Sequence, residues 1–300
     1  ASTIRVATPV LLAALGGVVT MRAGIYNIAL EGQMIAGCFL AIAATAWSGS
    51  LYVGILAGAL AGIAMSAVLS LAVLRFKAND IVASIAVNLL AVGLTGFLLQ
   101  TIFHVRGTYR PEGMVGLPRI DIPVVKDIPV IGPAVSGQTL LVYVAILLVA
   151  VTHVLLYRTP LGLAVRAVGE KPDAARTAGL SPAWIRAATV TYSGFLCGVA
   201  GAHLALGYAS EFTLGMTAGR GFTGFSAAIF GQLHPWYTWA ASLVFGLAEA
   251  LGLRVQLSDV ALPPDVVQMI PYVLAIVAIS VTCGIRMWRM GSARRREVAE

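Results

Sequence analysis

The sequence predicts an all-α polytopic membrane helix bundle with about nine crossings. Of its 300 residues, 59% are hydrophobic and only 11% are charged, whereas soluble domains carry about 25% charged residues. The apolar runs are roughly 17–24 residues long, which is the length that a helix needs to cross about 30 Å of hydrocarbon. A membrane β-barrel would instead show alternating segments of about ten residues.

Nine apolar runs mark the predicted spans, some of which are broken or re-entrant. They lie near residues 6–20, 28–47, 51–74, 80–103, 138–157, 184–208, 218–233, 236–254 and 266–286. The first and the seventh are short or interrupted by glycine, so the sequence leaves open whether they cross fully. A short similarity, ATPVLLAALGGVV against ATVTYSGFLCGVA, predicts two weakly related halves, as many transporters have.

The placement of basic residues predicts the orientation. About two thirds of the Lys and Arg residues fall in loops on one side and in the basic tail 287–300, and such residues favour the cytoplasmic side. The C-terminus is therefore predicted to be cytoplasmic, and nine crossings place the N-terminus outside. The net charge of +7 then indicates contact with membrane lipid and not with nucleic acid.

An external insert at residues 104–137 separates the fourth and fifth predicted spans. Its prolines are Pro111, Pro118, Pro123, Pro129 and Pro133. Prolines at this density prevent a long helix. We expect an extended flap, which is either a plain connector or a docking surface for an external partner.

Polar side chains at residues 21–34 are the first candidates for a transport path, because ionisable groups are costly in hydrocarbon. Asn27, Glu31 and Met34 are predicted to share one helical face, with Gln33 at its flank. Asn27 and Glu31 either line a polar cavity or pin a discontinuous helix. The alternative is that Glu31 caps a helix or packs inside the bundle.

A second candidate segment lies at residues 215–236, where four glycines are expected to prevent a firm helix before Phe225. An unwound segment followed by a half-helix would direct free N–H groups and a positive dipole end toward a polar ligand. The alternative is a re-entrant packing loop. The candidate path residues of this segment are Phe222, Thr223, Phe225 and Ser226, and the two phenylalanines could stack on a ring.

Asn88 and Glu249 stand alone in apolar runs, where each either lines a pore or bonds one helix to another. His203 and His234 are isolated in the sequence and match no metal-site spacing. The chain contains neither a phosphate-binding P-loop nor a catalytic motif. Active transport would therefore take its energy from a partner or an ion gradient, with no cofactor in this chain.

The long basic loop at residues 158–186 contains a short helix signal. Pro172 suits a first helical position, the alanines that follow favour helix, and Gly179 suits the stop. A compact helix on the cytoplasmic side suggests a part that another protein pushes on. The nearby cations, which either contact that protein or anchor lipid headgroups, are Arg166, Arg176 and Arg186.

Three segments together resemble the permease subunits of bacterial ABC importers in the branched-chain amino acid and ribose permease group. Residues 7–37 resemble the pattern AxPLLLxALGxxxxERxGxxNxxxEGxM of the nucleoside and simple-sugar branch, with Met21 in place of an acidic residue. Residues 162–181 resemble the loop GxxxRAVGExPxAAxxxGI of that branch. The segment GRGFTGFSAAIFGQLHPW resembles the pattern GxGFxGIAVALLGxxxP.

The resemblance implies one transmembrane permease domain over residues 1–300, in the bacterial cytoplasmic membrane. Implied partners are cytoplasmic ATP-binding cassette subunits that hold ATP and Mg²⁺, a second permease subunit in a homo- or heterodimer, and an external substrate-binding protein or lipoprotein. The first motif favours purine nucleosides, with ribose-like sugars or branched-chain amino acids as alternatives. A rival of a different class is a self-sufficient secondary transporter or channel.

Within the resemblance, residues 158–183 form a cytoplasmic coupling loop. The match to the EAA loop of importer permeases implies that the following residues couple the permease to its ATPase: Glu170, Pro172, Asp173, Ala174, Ala175, Arg176 and Gly179.

Overall fold

Helices make up most of the chain that the computed structural model describes, which is residues 2–111, 113–114, 116–120, 136–256 and 273. They are α1 (Ser2–Arg22), α2 (Leu30–Ser48), α3 (Leu51–Ser70), α4 (Asp80–Phe103), α5 (Leu140–Arg158), α6 (Pro160–Glu170), α7 (Pro172–Thr177), α8 (Pro182–Ala202), α9 (Arg220–Phe230) and α10 (Pro235–Gln256). Short π-helical segments extend α3 over Leu71–Arg75 and α8 over His203–Ala209. The predicted all-α class is confirmed.

Six helices within the described residues are long and apolar enough to cross a membrane. They are Thr3–Arg22, Leu30–Ser48, Leu51–Arg75, Asp80–Phe103, Leu140–Arg158 and Pro182–Ala209. The first predicted span is therefore a full-length helix. The seventh contains only the 11 residues of α9, which at 1.5 Å per residue extend about 16 Å and cannot cross as a helix.

Of the last two predicted spans, the structure describes the eighth but only one residue of the ninth. α10 has 22 residues and is long enough to cross, but it carries Glu249 and Arg254 among its apolar residues. The ninth predicted span, 266–286, lies outside the described residues except for Val273. The basic tail 287–300 lies entirely outside them.

Side-chain contacts gather the basic loops at one end of the bundle. Arg22, at the end of α1, donates to the Tyr157 hydroxyl at 3.0 Å and to the Leu233 carbonyl at 3.0 Å. The Tyr26 N–H donates to the Asp80 carboxylate at 2.8 Å, which brings the start of α4 to the same place. We call this the basic end. Its cations are Arg22, Arg75, Lys77, Arg158, Arg166, Lys171, Arg176 and Arg186.

Short strands connect the loops at the opposite end, which we call the insert end. β1 (Thr108–Tyr109) pairs antiparallel with β4 (Phe212–Thr213), and β2 (Arg119–Ile120) pairs antiparallel with β3 (Gln138–Thr139). The described part of the insert forms no long helix, as its prolines predict. Residues 121–135 lie outside the described residues.

Small residues allow α1, α2 and α8 to pack closely at the centre of the bundle. These three helices are mostly buried, whereas only 33% of the apolar window of each of α3, α4 and α5 is buried. A Cβ on Gly37 of α2 would lie 2.7 Å from the Gly198 carbonyl oxygen of α8. Glycine at such crossings lets two backbones approach, which is how membrane helices gain packing energy.

α1 and α8 run in opposite directions and carry the two segments of the predicted repeat. They meet where Gly16 of α1 lies against Ser193 of α8. Their antiparallel pairing is compatible with two halves of inverted orientation. The relation between the halves stays a prediction.

Candidate translocation site

A non-helical break at residues 23–29 separates α1 from α2. Asn27 is completely buried in this break. Its side-chain N–H donates to the Ser193 hydroxyl at 3.0 Å, and its side-chain oxygen accepts the Ala29 N–H at 3.0 Å. Asn27 therefore shapes the turn before α2 and ties it to α8. The expectation that Asn27 shares a helical face with Glu31 was wrong, because α2 begins only at Leu30.

Side chains of α4 satisfy the backbone groups that the break leaves free. The Asn88 side-chain oxygen accepts the Gly32 N–H at 2.7 Å, and its N–H group donates to the Ile28 carbonyl at 3.1 Å. The Ser84 hydroxyl accepts the Ile28 N–H at 3.2 Å. Buried backbone groups need such partners because hydrocarbon offers none. Asn88 was predicted either to line a pore or to bond one helix to another. Its contacts match the second prediction, because they join α4 to the break and to the start of α2.

The residues on α4 that hold the break are spaced one helical turn apart. Asp80, which accepts the Tyr26 N–H, is followed at intervals of four by Ser84 and Asn88. Of these three residues, only Asn88 was a candidate from the sequence. The missed signal was the i, i+4, i+8 spacing, which places all three on one face of the helix.

The Glu31 carboxylate holds the N-terminus of α9. One oxygen accepts the Gly219 N–H at 2.9 Å and the other accepts the Gly221 N–H at 2.6 Å. A carboxylate is favourable at this position because the first N–H groups of a helix lack partners within the helix and its dipole is positive there. Of the alternatives for Glu31, these contacts match the one in which it caps a helix, and the helix that it caps is α9. The expected free N–H groups at Gly219 and Gly221 are thus occupied.

α9 begins at Arg220, five residues before the expected start at Phe225. Gly221 and Gly224 lie inside the helix, where each faces a neighbouring backbone. A Cβ on Gly221 would collide with Glu31, and one on Gly224 would lie 2.8 Å from the Ala13 Cβ. The two glycines therefore serve close packing against α1 and α2, which outweighs their poor intrinsic helix preference.

The candidate path residues of α9 point in different directions. Phe222 is 44% exposed, whereas Phe225 packs against the main hydrophobic core. Thr223 donates its hydroxyl to the Gly219 carbonyl at 3.1 Å, and Ser226 donates to the Phe222 carbonyl at 3.0 Å. Phe222 is therefore the exposed aromatic side chain of the pair.

Two further predicted path residues are engaged within the protein. Glu249 of α10 forms an ion pair with Arg220, and Arg220 also donates to the Met216 carbonyl at 3.0 Å. Gln33 is completely buried beside Asn27, and its side-chain nitrogen has no partner within the described residues. In this conformation Gln33 cannot contact a solute.

The predicted short helix of the basic loop is confirmed as α7. Pro172 occupies its first turn, and Gly179 adopts φ +84° just after its end. The Leu180 N–H bonds to the Ala175 carbonyl at 3.1 Å and the Gly179 N–H to the Arg176 carbonyl at 3.0 Å, which is a Schellman termination. The outward residues of α7 are Asp173, Ala174, Arg176 and Thr177, while Ala175 is buried.

α6 was not predicted from the sequence, and it connects α7 to the end of α1. Thr159 caps α6 by accepting the Gly162 N–H at 3.2 Å, and Pro160 follows it at the first helical position. This Thr-Pro pair was the missed signal. Gly169 of α6 packs directly on the Arg22 carbonyl, so no side chain fits between α6 and α1.

One continuous series of contacts runs from the exposed surface of α7 to α9. α7 continues from α6, which lies against the end of α1, and Arg186 of α8 donates to the Ala23 carbonyl at 3.1 Å. The break follows, and Glu31 connects it to α9. Within the described residues no group of three His, Cys, Asp or Glu side chains could hold a metal ion. The arrangement suits transmission of a displacement and shows no catalytic constellation in the described part of the chain.

Known proteins resemble the chain over most of its length. Residues 1–279 match the family model described as the permease component of branched-chain amino acid transport systems. The guanosine ABC transporter permease protein NupQ of Bacillus subtilis is 34% identical over 291 residues, which cover 93% of this chain and 90% of NupQ. TsgC13 of Haloferax volcanii, named provisionally as a glucose ABC transporter permease protein, is 34% identical over 268 residues, 88% of this chain and 79% of TsgC13.

A solved structure shares the fold. It is an ABC transporter assigned provisionally to the metal-chelate type, in an inward-facing conformation, and it matches with a TM-score of 0.54. The match covers 93% of this chain and 85% of that one at 17% identity, so it supports the fold alone. Together with the apolar helices, these similarities confirm the predicted family: the chain is a multi-pass membrane protein that belongs to the permease components of the branched-chain amino acid transport family.

Proposed function

We propose that the chain is the permease subunit of an ATP-driven importer of nucleosides, purine nucleosides foremost. The observation that carries the proposal is its 34% identity to a guanosine permease over 93% of the chain. The chain would form the passage for the nucleoside but would not itself hydrolyse ATP. Partner ATP-binding cassette subunits would bind ATP and Mg²⁺, a second permease subunit would complete the passage, and an external binding protein or lipoprotein would deliver the nucleoside.

In the proposed importer the basic end faces the cytoplasm of a bacterial cell, with the C-terminus on that side. α7 is the part of the basic loop most suited to contact the ATPase. Asp173, Ala174 and Arg176 are exposed on α7, and Gly179 is exposed just beyond its end. A rigid short helix, closed by its own termination motif, can move as one body when the ATPase subunits close.

The proposed coupling follows the contacts of the bundle. Displacement of α7 moves α6, and Gly169 of α6 presses on the end of α1 at Arg22. The break at residues 23–29 is the point at which this end can shift without unwinding a helix. Glu31, which holds the N-terminus of α9, then carries the movement to α9.

The candidate path residues divide into two proposed roles. Phe222 would contact the nucleoside, because it is the exposed aromatic side chain of α9 and a nucleobase stacks on aromatic rings. Thr223 and Ser226 lie on the same short helix with hydroxyls bonded to their own helix. Asn27, Glu31, Gln33, Asn88, Phe225 and Glu249 would position the passage, since their contacts are internal.

Uptake of radiolabelled guanosine tests the proposal. Cells that express the chain with its partner subunits should accumulate the label, and depletion of ATP should abolish accumulation. Unlabelled adenosine should compete. Uptake that persists without ATPase subunits and follows an ion gradient would instead establish a secondary transporter.

A simple sugar is the second candidate substrate, and the similarity to TsgC13 favours it. The same cells distinguish the two substrates when labelled glucose replaces guanosine. Accumulation of glucose that guanosine does not inhibit would replace the nucleoside assignment but retain the importer.

A further inference from the structure

Rings and cations from four separate elements meet at the basic end. His153 and Tyr157 lie on α5 with ring centroids 5.2 Å apart, and His234, in the turn before α10, lies 5.2 Å from the His153 ring and 5.1 Å from the Tyr157 ring. The guanidinium groups of Arg22 and Arg166 stand 5.9 and 5.2 Å from the Tyr157 ring centre. His234, which looked isolated in the sequence, thus belongs to a cluster. We call these five residues the cationic cluster.

The cationic cluster contains unpaired polar atoms and forms no ion pair with a carboxylate among the described residues. The Nδ1 atoms of His153 and His234 are buried without a partner within the described residues. Arg166 bonds to the protein through Nε, to the Gly162 carbonyl at 3.4 Å, and its terminal nitrogens have no protein partner there. Arg22 uses its guanidinium to hold the carbonyls of Gln232 and Leu233. No carboxylate among the described residues pairs with a member of the cluster.

The electrostatics of the cluster favour an incoming anion. Burial, His153 and Arg22 together lower the pKa of His234, so the ring loses its proton more readily than a free imidazole does. A bound phosphate would offset the positive charge of Arg22 and Arg166 and would accept hydrogen bonds from the histidine rings. Phosphate and guanidinium groups form strong charge-assisted hydrogen bonds.

The surroundings of the cluster match the boundary of a membrane. Trp236 is 41% exposed and Tyr237 is 62% exposed beside His234, and aromatic rings of this kind are enriched at the level of lipid headgroups. Apolar side chains continue from the cluster along α5 and α10. Leu147 on α5 and Leu247 on α10 are both exposed, which offers a surface for acyl chains below the cluster.

We propose that the cationic cluster binds the phosphate of an anionic membrane phospholipid, whose acyl chains lie along the exposed faces of α5 and α10. The site is distinct from the candidate path residues of α9, because no hydrogen bond or ring contact among the described residues joins the cluster to Phe222, Thr223 or Ser226. Arg22 joins the two, since it also holds the turn that follows α9. Bound lipid would therefore fasten the turn between α9 and α10.

Native mass spectrometry of the full chain in detergent tests the site. Phosphatidylglycerol should bind more tightly than phosphatidylcholine. Arg166→Gln should weaken phosphatidylglycerol binding about fivefold, which corresponds to about 1 kcal/mol for one cation near an anionic lipid. Arg75→Gln is the matched control, because Arg75 is an exposed cation at the same end with no contact to the cluster within the described residues. It should leave the affinity unchanged.

Four outcomes would overturn the proposal. Equal loss in the Arg166 and Arg75 variants would show general charge attraction, and equal binding of the two lipids would show no headgroup recognition. Displacement of the lipid by millimolar inorganic phosphate would show a site for free anions. If Arg166→Gln does not fold, His153→Gln replaces it with the same expected direction, and retained affinity in that folded variant would contradict the site.

Discussion

Replacing Glu31 by Gln should destabilise the attachment of α9 and impair transport together. The Glu31 carboxylate accepts two backbone N–H groups, from Gly219 at 2.9 Å and from Gly221 at 2.6 Å. A glutamine side chain keeps one acceptor oxygen, but its amide group turns N–H bonds toward the other donor. One N–H at the start of α9 is then left without a partner, and the negative charge at the helix N-terminus is lost.

The size of the effect follows from these two losses. A hydrogen bond to a charged group contributes about 1.5–3 kcal/mol, and a charge at a helix terminus contributes about 0.3–2 kcal/mol. We therefore expect Glu31→Gln to lower the free energy of unfolding by about 2–4 kcal/mol. At roughly 2–4 °C per kcal/mol, the Tm should fall by about 4–16 °C.

Thermal unfolding of the purified protein measures the change, and guanosine uptake measures its consequence for transport. Glu211→Gln is the matched control, because Glu211 forms neither a hydrogen bond nor an ion pair within the described residues. The control should keep both the wild-type Tm and the wild-type uptake. If Glu31→Gln had the same Tm as the control, the Glu31 carboxylate would not hold α9, and the proposed route from the break to α9 would be refuted.

Three further substitutions test separate parts of the molecule. Gly179→Leu should leave membrane insertion intact and permit ATP hydrolysis but abolish uptake. The reason is that a side chain at φ +84° costs about 1–2 kcal/mol and alters the end of α7. The control is Gly49→Leu, at φ +68° in open space, which should show the same local cost with uptake retained. Asn88→Leu should lower the free energy of unfolding by about 2–5 kcal/mol in a thermal unfolding experiment, since it leaves two backbone groups of the break unpaired. Thr95→Val loses only a bond to its own helix and should change the free energy of unfolding little. Phe222→Ala should raise the half-saturation concentration for guanosine uptake at least fivefold, equivalent to about 1 kcal/mol of lost stacking, without a change in Tm. An unchanged half-saturation concentration would show that Phe222 does not contact the nucleoside.

Local signals were sufficient where neighbouring residues decide the conformation. Pro172 and Gly179 bracket a helix because each acts on its own backbone, and α7 forms where they predict it. The long apolar runs likewise became helices, since a chain in lipid must satisfy its own backbone hydrogen bonds. The same local reading missed α6, although Thr159 and Pro160 marked its start.

Local signals failed where a distant partner decides the conformation. Glycines before Phe225 predicted an unwound segment, yet Gly221 and Gly224 lie inside α9 because Glu31 and Ala13 leave no room for a side chain there. The assignment of Asn27 to the face of α2 failed for a related reason. Its contact with Ser193, 166 positions away, holds it in the break between α1 and α2, and sequence spacing does not reveal that partner.

The sequence by itself determined the membrane-helix class, the permease family and the place of the short helix in the basic loop, because composition, motif and local backbone preference are properties of adjacent residues. Only the tertiary structure decided what the buried polar residues do. The contact of Glu31 with Gly219 and Gly221 joins residues about 190 positions apart, and such pairing depends on how the helices pack and not on sequence spacing. The same holds for the cationic cluster, whose members come from α1, α5, α6 and the turn before α10.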